Sequence, residues 1–254
     1  MINLLKRILR RDKSTFSRIC KFVGLRLDFT LNQDAINVLK AIFEEREYAD
    51  YFPFYKKVTV VDIGAHYGYF SIFAAKNTAS DSTIFSIEPS QQNFKNLKQN
   101  LSDCNIKNVK PFQLAIGGEN GTLDLFTGRS INHSLIENYA LLGKERNTQK
   151  VEVKTLEQFI LDNEIERIDF LKMDCEGAEY AILFNTPRSV FDKVYVISME
   201  FHDMKNVKFT GNEIVKKLEE NGFEIVKFEY ERTGLDLNYG RIVGRKMLDN
   251  PLQS

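Results

Sequence analysis

Little in this chain suggests that it needs covalent or metal staples. Its 254 residues include three cysteines, Cys20, Cys104 and Cys175. They are odd in number, far apart, and form no Cys-x-x-Cys pair, which excludes a disulfide framework and a zinc ribbon. A reducing, cytoplasmic setting is the expected default. Five prolines and 14 glycines are too few for a collagenous or low-complexity chain. Net charge is also lacking: 35 basic and 35 acidic residues cancel, so composition gives no argument for nucleic acid. Long hydrophobic runs are missing. The longest stretch without a charged residue, Ile63 to Ala75, is 13 residues with two glycines and a histidine, too short to span a bilayer. The leading apolar stretch is broken by Lys6, Arg7, Arg10 and Arg11 and does not read as a secretory signal.

What is present is an ordinary globular composition, 43% apolar and 28% charged. A chain of this length buries roughly 70–75% of its unfolded surface and can build its own core. Charge is segregated, however. Residues 1–26 hold eight basic residues against Asp12 alone, a net charge of +7, so residues 27–254 carry −7. Ile2, Leu4, Leu5, Ile8 and Leu9 give that segment a helical apolar stripe. It suits an interfacial helix on an anionic membrane. Packing on the domain, or on a second subunit of a homodimer, is the competing expectation.

A second helix is expected over 34–47, followed by a linker at Tyr51-Phe-Pro-Phe-Tyr55. From Val58 onward, strands and helices alternate. Strands are expected at 58–63, 83–88, 109–115, 121–127, 151–154, 168–173, 194–201, 223–230 and 240–247. Helices are expected at 69–76, 90–101, 155–161, 178–184 and 212–221. Residues 129–150 are polar and poorly periodic and read as an insertion. The alternation predicts an α/β fold with a mostly parallel sheet, whose ligands bind at the carboxyl ends of the strands.

Four motifs sit at such ends. Val60-Val-Asp62-Ile-Gly64-Ala-His66-Tyr-Gly68 is a buried strand, an acidic residue, a glycine turn and a helix start. The dinucleotide pattern Gly-x-Gly-x-x-Gly fails, because its second and third glycines would fall on His66 and Tyr69. Asp62 would repel a pyrophosphate but suits a ligand bearing an ammonium or sulfonium charge. Glu88 ends the next strand, where a carboxylate can accept both hydroxyls of a ribose. Asp174 ends the strand Ile168 to Met173, with Glu176 and Glu179 following. Glu179 also fits a plain helix-dipole role. Glu200 and His202 share one side of a later strand.

These blocks resemble the FkbM family of class I S-adenosylmethionine-dependent methyltransferases. The likeness runs from about Thr59 to Phe201. It is carried by Val61 to Ser71, by Ile87-Glu-Pro89 with Asn93 and Leu97, and by Leu114 to Thr122. Ser134-Leu135, Val151 to Leu156 and Asp169 to Glu179 complete it. The resemblance implies a Rossmann-like seven-stranded, mostly parallel sheet with the last strand antiparallel, and a domain over 58–254 behind an N-terminal extension over 1–57. It implies S-adenosylmethionine as cofactor, held by Asp62, Gly64, Ala65, His66, Gly68, Glu88, Pro89, Asn93, Ala115 and Asp174. His66 departs from the family, which usually has asparagine there. The expected reaction is methylation of a hydroxyl on a sugar, glycan or other small metabolite, with no nucleic-acid partner. A catalytically inactive scaffold and a nicotinamide oxidoreductase are the alternatives.

His202, Asp174 and Glu200 are the expected catalytic residues. A neutral His202, with an ordinary pKa of about 6.5, would take the hydroxyl proton while a carboxylate orients the ring. No metal is assigned. The same three residues could hold a divalent ion, but a single histidine would give poor selectivity.

Overall fold

The computed structural model describes residues 33–127, 147–204, 210–232 and 237–246. The segment 1–26, with its membrane and subunit expectations, and most of the 129–150 insertion lie outside them. In chain order the elements are α1 (Gln33–Phe43), β1 (Thr59–Ile63), α2 (Tyr69–Asn77), β2 (Thr83–Ile87), α3 (Gln91–Asp103), β3 (Val109–Phe112), β4 (Ala115–Gly117), β5 (Gly121–Thr127) and β6 (Asn147–Thr155). Then follow α4 (Leu156–Asp162), β7 (Phe170–Met173), α5 (Glu179–Asn185), α6 (Arg188–Phe191), β8 (Val196–Met204), α7 (Gly211–Glu220), β9 (Phe223–Arg232) and β10 (Leu237–Lys246).

Seven strands form one sheet in the order β3-β2-β1-β7-β8-β10-β9. Five of them, β1, β2, β3, β7 and β8, run parallel. The last strand, β10, is antiparallel to both β8 and β9. Because β1 and β7 are central, their residues are buried on both faces. Val61, Ile63, Leu171 and Met173 face a layer that includes Phe159, Ile182 and Leu218 of α4, α5 and α7. Val60 and Phe170 face the opposite layer, with Leu39, Phe70 and Leu97 of α1, α2 and α3.

Three expectations are corrected. The single strand over 109–115 is two strands in different sheets: β4 leaves the main sheet and pairs with β6. Pro111 lies in β3, an edge strand, where its missing N–H costs no ladder bond. Residues 147–150 belong to β6, paired antiparallel with β5 (Asp124 opposite Lys150). Their side chains are polar, so no apolar alternation announced the strand. The expected linker at 51–55 contributes to the core. Phe52 is buried and meets Phe70, Phe73 and Phe170 edge-on, with ring centres 5.1–6.1 Å apart. Such a ring contributes roughly 1.5–3 kcal/mol through burial. It ties residues 33–57 to the face on which α2 lies.

A polar row crosses this apolar sheet. Ser86, Asp62, Lys172 and Ser198 are register partners on β2, β1, β7 and β8, and all are buried. Lys172 Nζ lies 3.3 Å from Asp62 Oδ1. The Ser71 hydroxyl, from α2, lies 2.7 Å from Asp62 Oδ2 and 2.8 Å from Ser86 Oγ. A lone buried charge would be costly, so the pair must be kept together.

Candidate active site

The β1–α2 turn builds one wall of the site. Gly64 has φ +76°, and a Cβ there would stand 1.7 Å from the Asp174 carbonyl oxygen. Only glycine lets the turn after β1 touch the loop after β7. His66 adopts φ +53° without that freedom. Its N–H donates to Glu88 Oε2 at 2.8 Å, which holds the strained turn against the end of β2. Glu88 also accepts from Ser90 N–H (2.9 Å) and from the Asn93 amide (3.3 Å) at Oε1. Burial pushes its pKa up to about 7 against these hydrogen bonds.

A cleft opens over these groups. Its apolar walls include Ile63, Ile87, Ala115, Ile116 and Leu125, and its polar lining includes Glu88, Asn93, Asp174 and Glu176. Gly64, His66 and Pro89 line it too. Ala65 lines the adjoining cavity instead. Asp62 and Gly68 line neither. Asp62 lies beneath the turn, fully buried and held by Lys172 and Ser71. Gly68 starts α2 at φ +78°, close against Leu97. Both shape the turn from behind the lining of these two cavities.

The other wall is made by β7 and β8. Asp174 lies just past β7, with Tyr48 O–H donating to its Oδ2 at 3.4 Å and Lys172 Nζ 3.8 Å away. Glu200 and His202 do share a side of β8: Glu200 Oε1 is 3.6 Å from His202 Nε2. The structure therefore brings Asp174, Glu200 and His202 together, with one ligand-type atom from each within 4.8 Å of the others. Glu176 Oε2 approaches the same Nε2 at 3.8 Å.

Glu179 is more than a helix-dipole residue. It is fully buried and accepts from the Cys175 and Gly177 N–H groups at 3.0 Å. Its Oε1 lies 3.2 Å from His202 Nδ1. His202 is accordingly not the expected neutral ring. Burial acts to lower its pKa, but Glu179, then Glu176 and Glu200, outweigh it and push it up to about 10. Glu200 is pushed up to about 8 by burial first and Asp174 second.

Sequence reasoning missed Lys172, Tyr48, Glu47 and Arg241. Lys172 had a signal, a lone lysine inside an otherwise apolar strand. Burial opposes its charge, but Asp62 and Asp174 outweigh that and raise its pKa. Tyr48 and Glu47 lie outside the recognised blocks and had none. Glu47 pairs with Arg241 at 2.5 Å across the cavity rim.

The FkbM methyltransferase domain model matches residues 62–225, well over half of the chain. The chain belongs to this family. It is 28% identical to "Methyltransferase 1" of Beauveria bassiana over 203 residues, 73% of this chain and 80% of that protein. It is 27% identical to "Methyltransferase sdnD" of Sordaria araneosa over 196 residues, 66% of this chain and 74% of that one. Among solved structures, an rRNA methylase from Streptococcus thermophilus aligns at TM-score 0.49 and 14% identity, over 78% of this chain and 93% of that chain. The protein is an S-adenosylmethionine-dependent methyltransferase.

The residues fit that cofactor. A carboxylate has about four acceptor positions, and Glu88 uses three on Ser90, Asn93 and His66, which leaves one for a ribose hydroxyl. The apolar walls suit a purine. No lysine or arginine lines the cleft among the described residues, so a pyrophosphate finds no partner there. Asp174 and Glu176 instead favour a cationic end. No described helix is long and apolar enough to cross a membrane.

Proposed function

We propose that the protein methylates a hydroxyl oxygen on a sugar, glycan or other small hydroxylated metabolite. The observation that carries this reading is a second cavity of about 570 Å³, which shares Gly64, His66 and Asp174 with the cofactor cleft. Its lining alternates aromatic side chains (Tyr48, Tyr69, Phe70, Tyr239) with charged ones (Glu47, Asp174, Glu200, Arg241). Aromatic faces cover the apolar C–H surfaces of a sugar, and carboxylates accept from its hydroxyls.

When bound, S-adenosylmethionine supplies an electrophilic methyl whose sulfur leaves as a neutral thioether. The protein then has two tasks, aligning the hydroxyl and excluding water. Glu88, Asn93 and the turn Gly64–His66 hold the cofactor side. Asp174 and Glu200 hold the acceptor side. The carboxylates around Glu200 would take the hydroxyl proton released as the acceptor oxygen gains the methyl.

The test is incubation with methyl-labelled cofactor and a panel of sugars, glycosides and polyols, with products read by mass spectrometry and NMR. A labelled methyl ether supports the reading. Label confined to nitrogen or carbon acceptors, or to RNA, contradicts it.

A further inference from the structure

We infer that Asp174, Glu200 and His202 bind a divalent cation of the Mg²⁺ or Mn²⁺ type, on which the acceptor hydroxyl is held. The inference rests on the hydroxyl-methylation reading for its role, but not for its existence. Three observations carry it.

The first is convergence. The three side chains come from two neighbouring strand ends, and their donor atoms lie within 4.8 Å of one another. Ligands about 2.1 Å from an octahedral ion stand about 3.0 Å apart when adjacent and about 4.2 Å when opposite. Small side-chain rotations close the remaining gap.

The second is the orientation of the imidazole. Glu179, buried and anchored by the Cys175 and Gly177 amides, faces Nδ1 at 3.2 Å. Nε2 therefore points at the cluster. A carboxylate behind a histidine in this way fixes the ring and raises its strength as a ligand. Nε2 lies 3.6 Å from Glu200 and 3.8 Å from Glu176, beyond the 2.7–3.2 Å of an N–H···O bond. The ring is aimed between these carboxylates.

The third is charge. Lys172 is committed to Asp62 and Asp174, and Arg241 to Glu47. Two carboxylates, with an imidazole that gives up its proton as the metal binds, would be balanced by one divalent ion. Ligands that are mostly oxygen suit Mg²⁺ or Mn²⁺ better than a thiolate-seeking metal. Three protein ligands on an octahedral ion leave three positions, so two neighbouring hydroxyls of a sugar can bind together. The ion would acidify the hydroxyl that attacks. A vicinal diol is thus the acceptor chemistry that this site selects.

The probe is Mn²⁺ alone, titrated into the full chain after chelator treatment and desalting, with free ion read by EPR. One Mn²⁺ per chain with a Kd below about 100 μM is expected. Glu200→Gln and His202→Gln should each weaken it at least tenfold. Glu179→Gln should weaken it about tenfold through the ring, in line with the 10–100-fold effect of such partners. Glu224→Gln, at a surface pair with Arg245, should leave it unchanged. S-adenosylhomocysteine affinity, measured on the same samples without metal, reports folding. An undiminished free-ion signal at 200 μM protein overturns the inference, as does binding unaffected in Glu200→Gln and His202→Gln with intact cofactor affinity. Neither result touches the acceptor assignment. That assignment fails separately, if Mn²⁺ binds but no hydroxylated acceptor is methylated.

Discussion

At the β1–β2 end of the cleft, the polar groups are held locally. All three donors to Glu88 lie within 22 residues of it, and two of them are backbone amides. At the β7–β8 end, local contacts are joined by partners far away in the chain. Tyr48 reaches Asp174 across 126 residues, and Lys172 reaches the Gly64 carbonyl across 108. The first end has one carboxylate in the cleft, Glu88, whose charge the hydrogen bonds favour and burial opposes. The second crowds Asp174, Glu176, Glu179 and Glu200 around one histidine. On the proposed reading, the cofactor meets a rigid local motif and the acceptor meets side chains that only the whole fold assembles.

The comparison breaks most severely at Gly64, where the two ends touch. A Cβ 1.7 Å from the Asp174 carbonyl has no room. Gly64→Ala should therefore cost more than about 4 kcal/mol, among the largest single-residue effects. Urea denaturation measures it, and a well-folded variant would refute the contact. Next is Lys172→Met, which leaves Asp62 buried without its cation and should cost about 3–5 kcal/mol. Adding Asp62→Asn should recover much of that loss, as a double-mutant cycle would show.

Glu88 sharpens the comparison through pH. Its folded pKa of about 7 stands above the reference 4.5. The folded chain therefore takes up a proton between these values, and stability falls as pH rises from about 4.5 to 7. Glu88→Gln should flatten that slope in thermal unfolding. Cofactor affinity has the opposite sign, because ribose hydroxyls need the carboxylate. It should weaken as pH falls below about 7, and not in Glu88→Gln. The smallest effect expected is that of Tyr48→Phe. Losing one long, partly buried hydrogen bond to Asp174 should cost about 0.5–1.5 kcal/mol, visible in acceptor KM and not in cofactor binding.

The same contrast explains what the sequence disclosed. Strands β1, β2, β7 and β8 were legible because central parallel strands are mostly apolar and carry acidic residues at their ends. The helix expected over 90–101 was legible too, and Ser90 accepts from Asn93 N–H at its start. The meeting of Gly64, His66, Glu88 and Asn93 was legible because they follow two adjacent strand ends, and they do line one cleft. Tyr48 was not, since nothing near it in sequence shows that it packs over Lys172. The protonation of His202 was not either. Neutrality followed from the ordinary pKa of histidine, and Glu179, 23 residues away, is what overrides it. Phe52 was lost to a proline beside it, which signals a loop but not whether the loop is buried.

The separation of the two ends is the central claim, and one calorimetric series tests it. S-adenosylhomocysteine is titrated into the wild type, Glu88→Ala and Glu200→Gln, with turnover measured alongside once an acceptor is in hand. Glu88→Ala should weaken binding by about 1–3 kcal/mol, because it removes the ribose acceptor. Glu200→Gln should leave binding within about threefold while turnover falls 100-fold or more, the scale of losing a group that handles the hydroxyl. Unchanged affinity in Glu88→Ala, or an equal loss of affinity in both variants, would contradict the account.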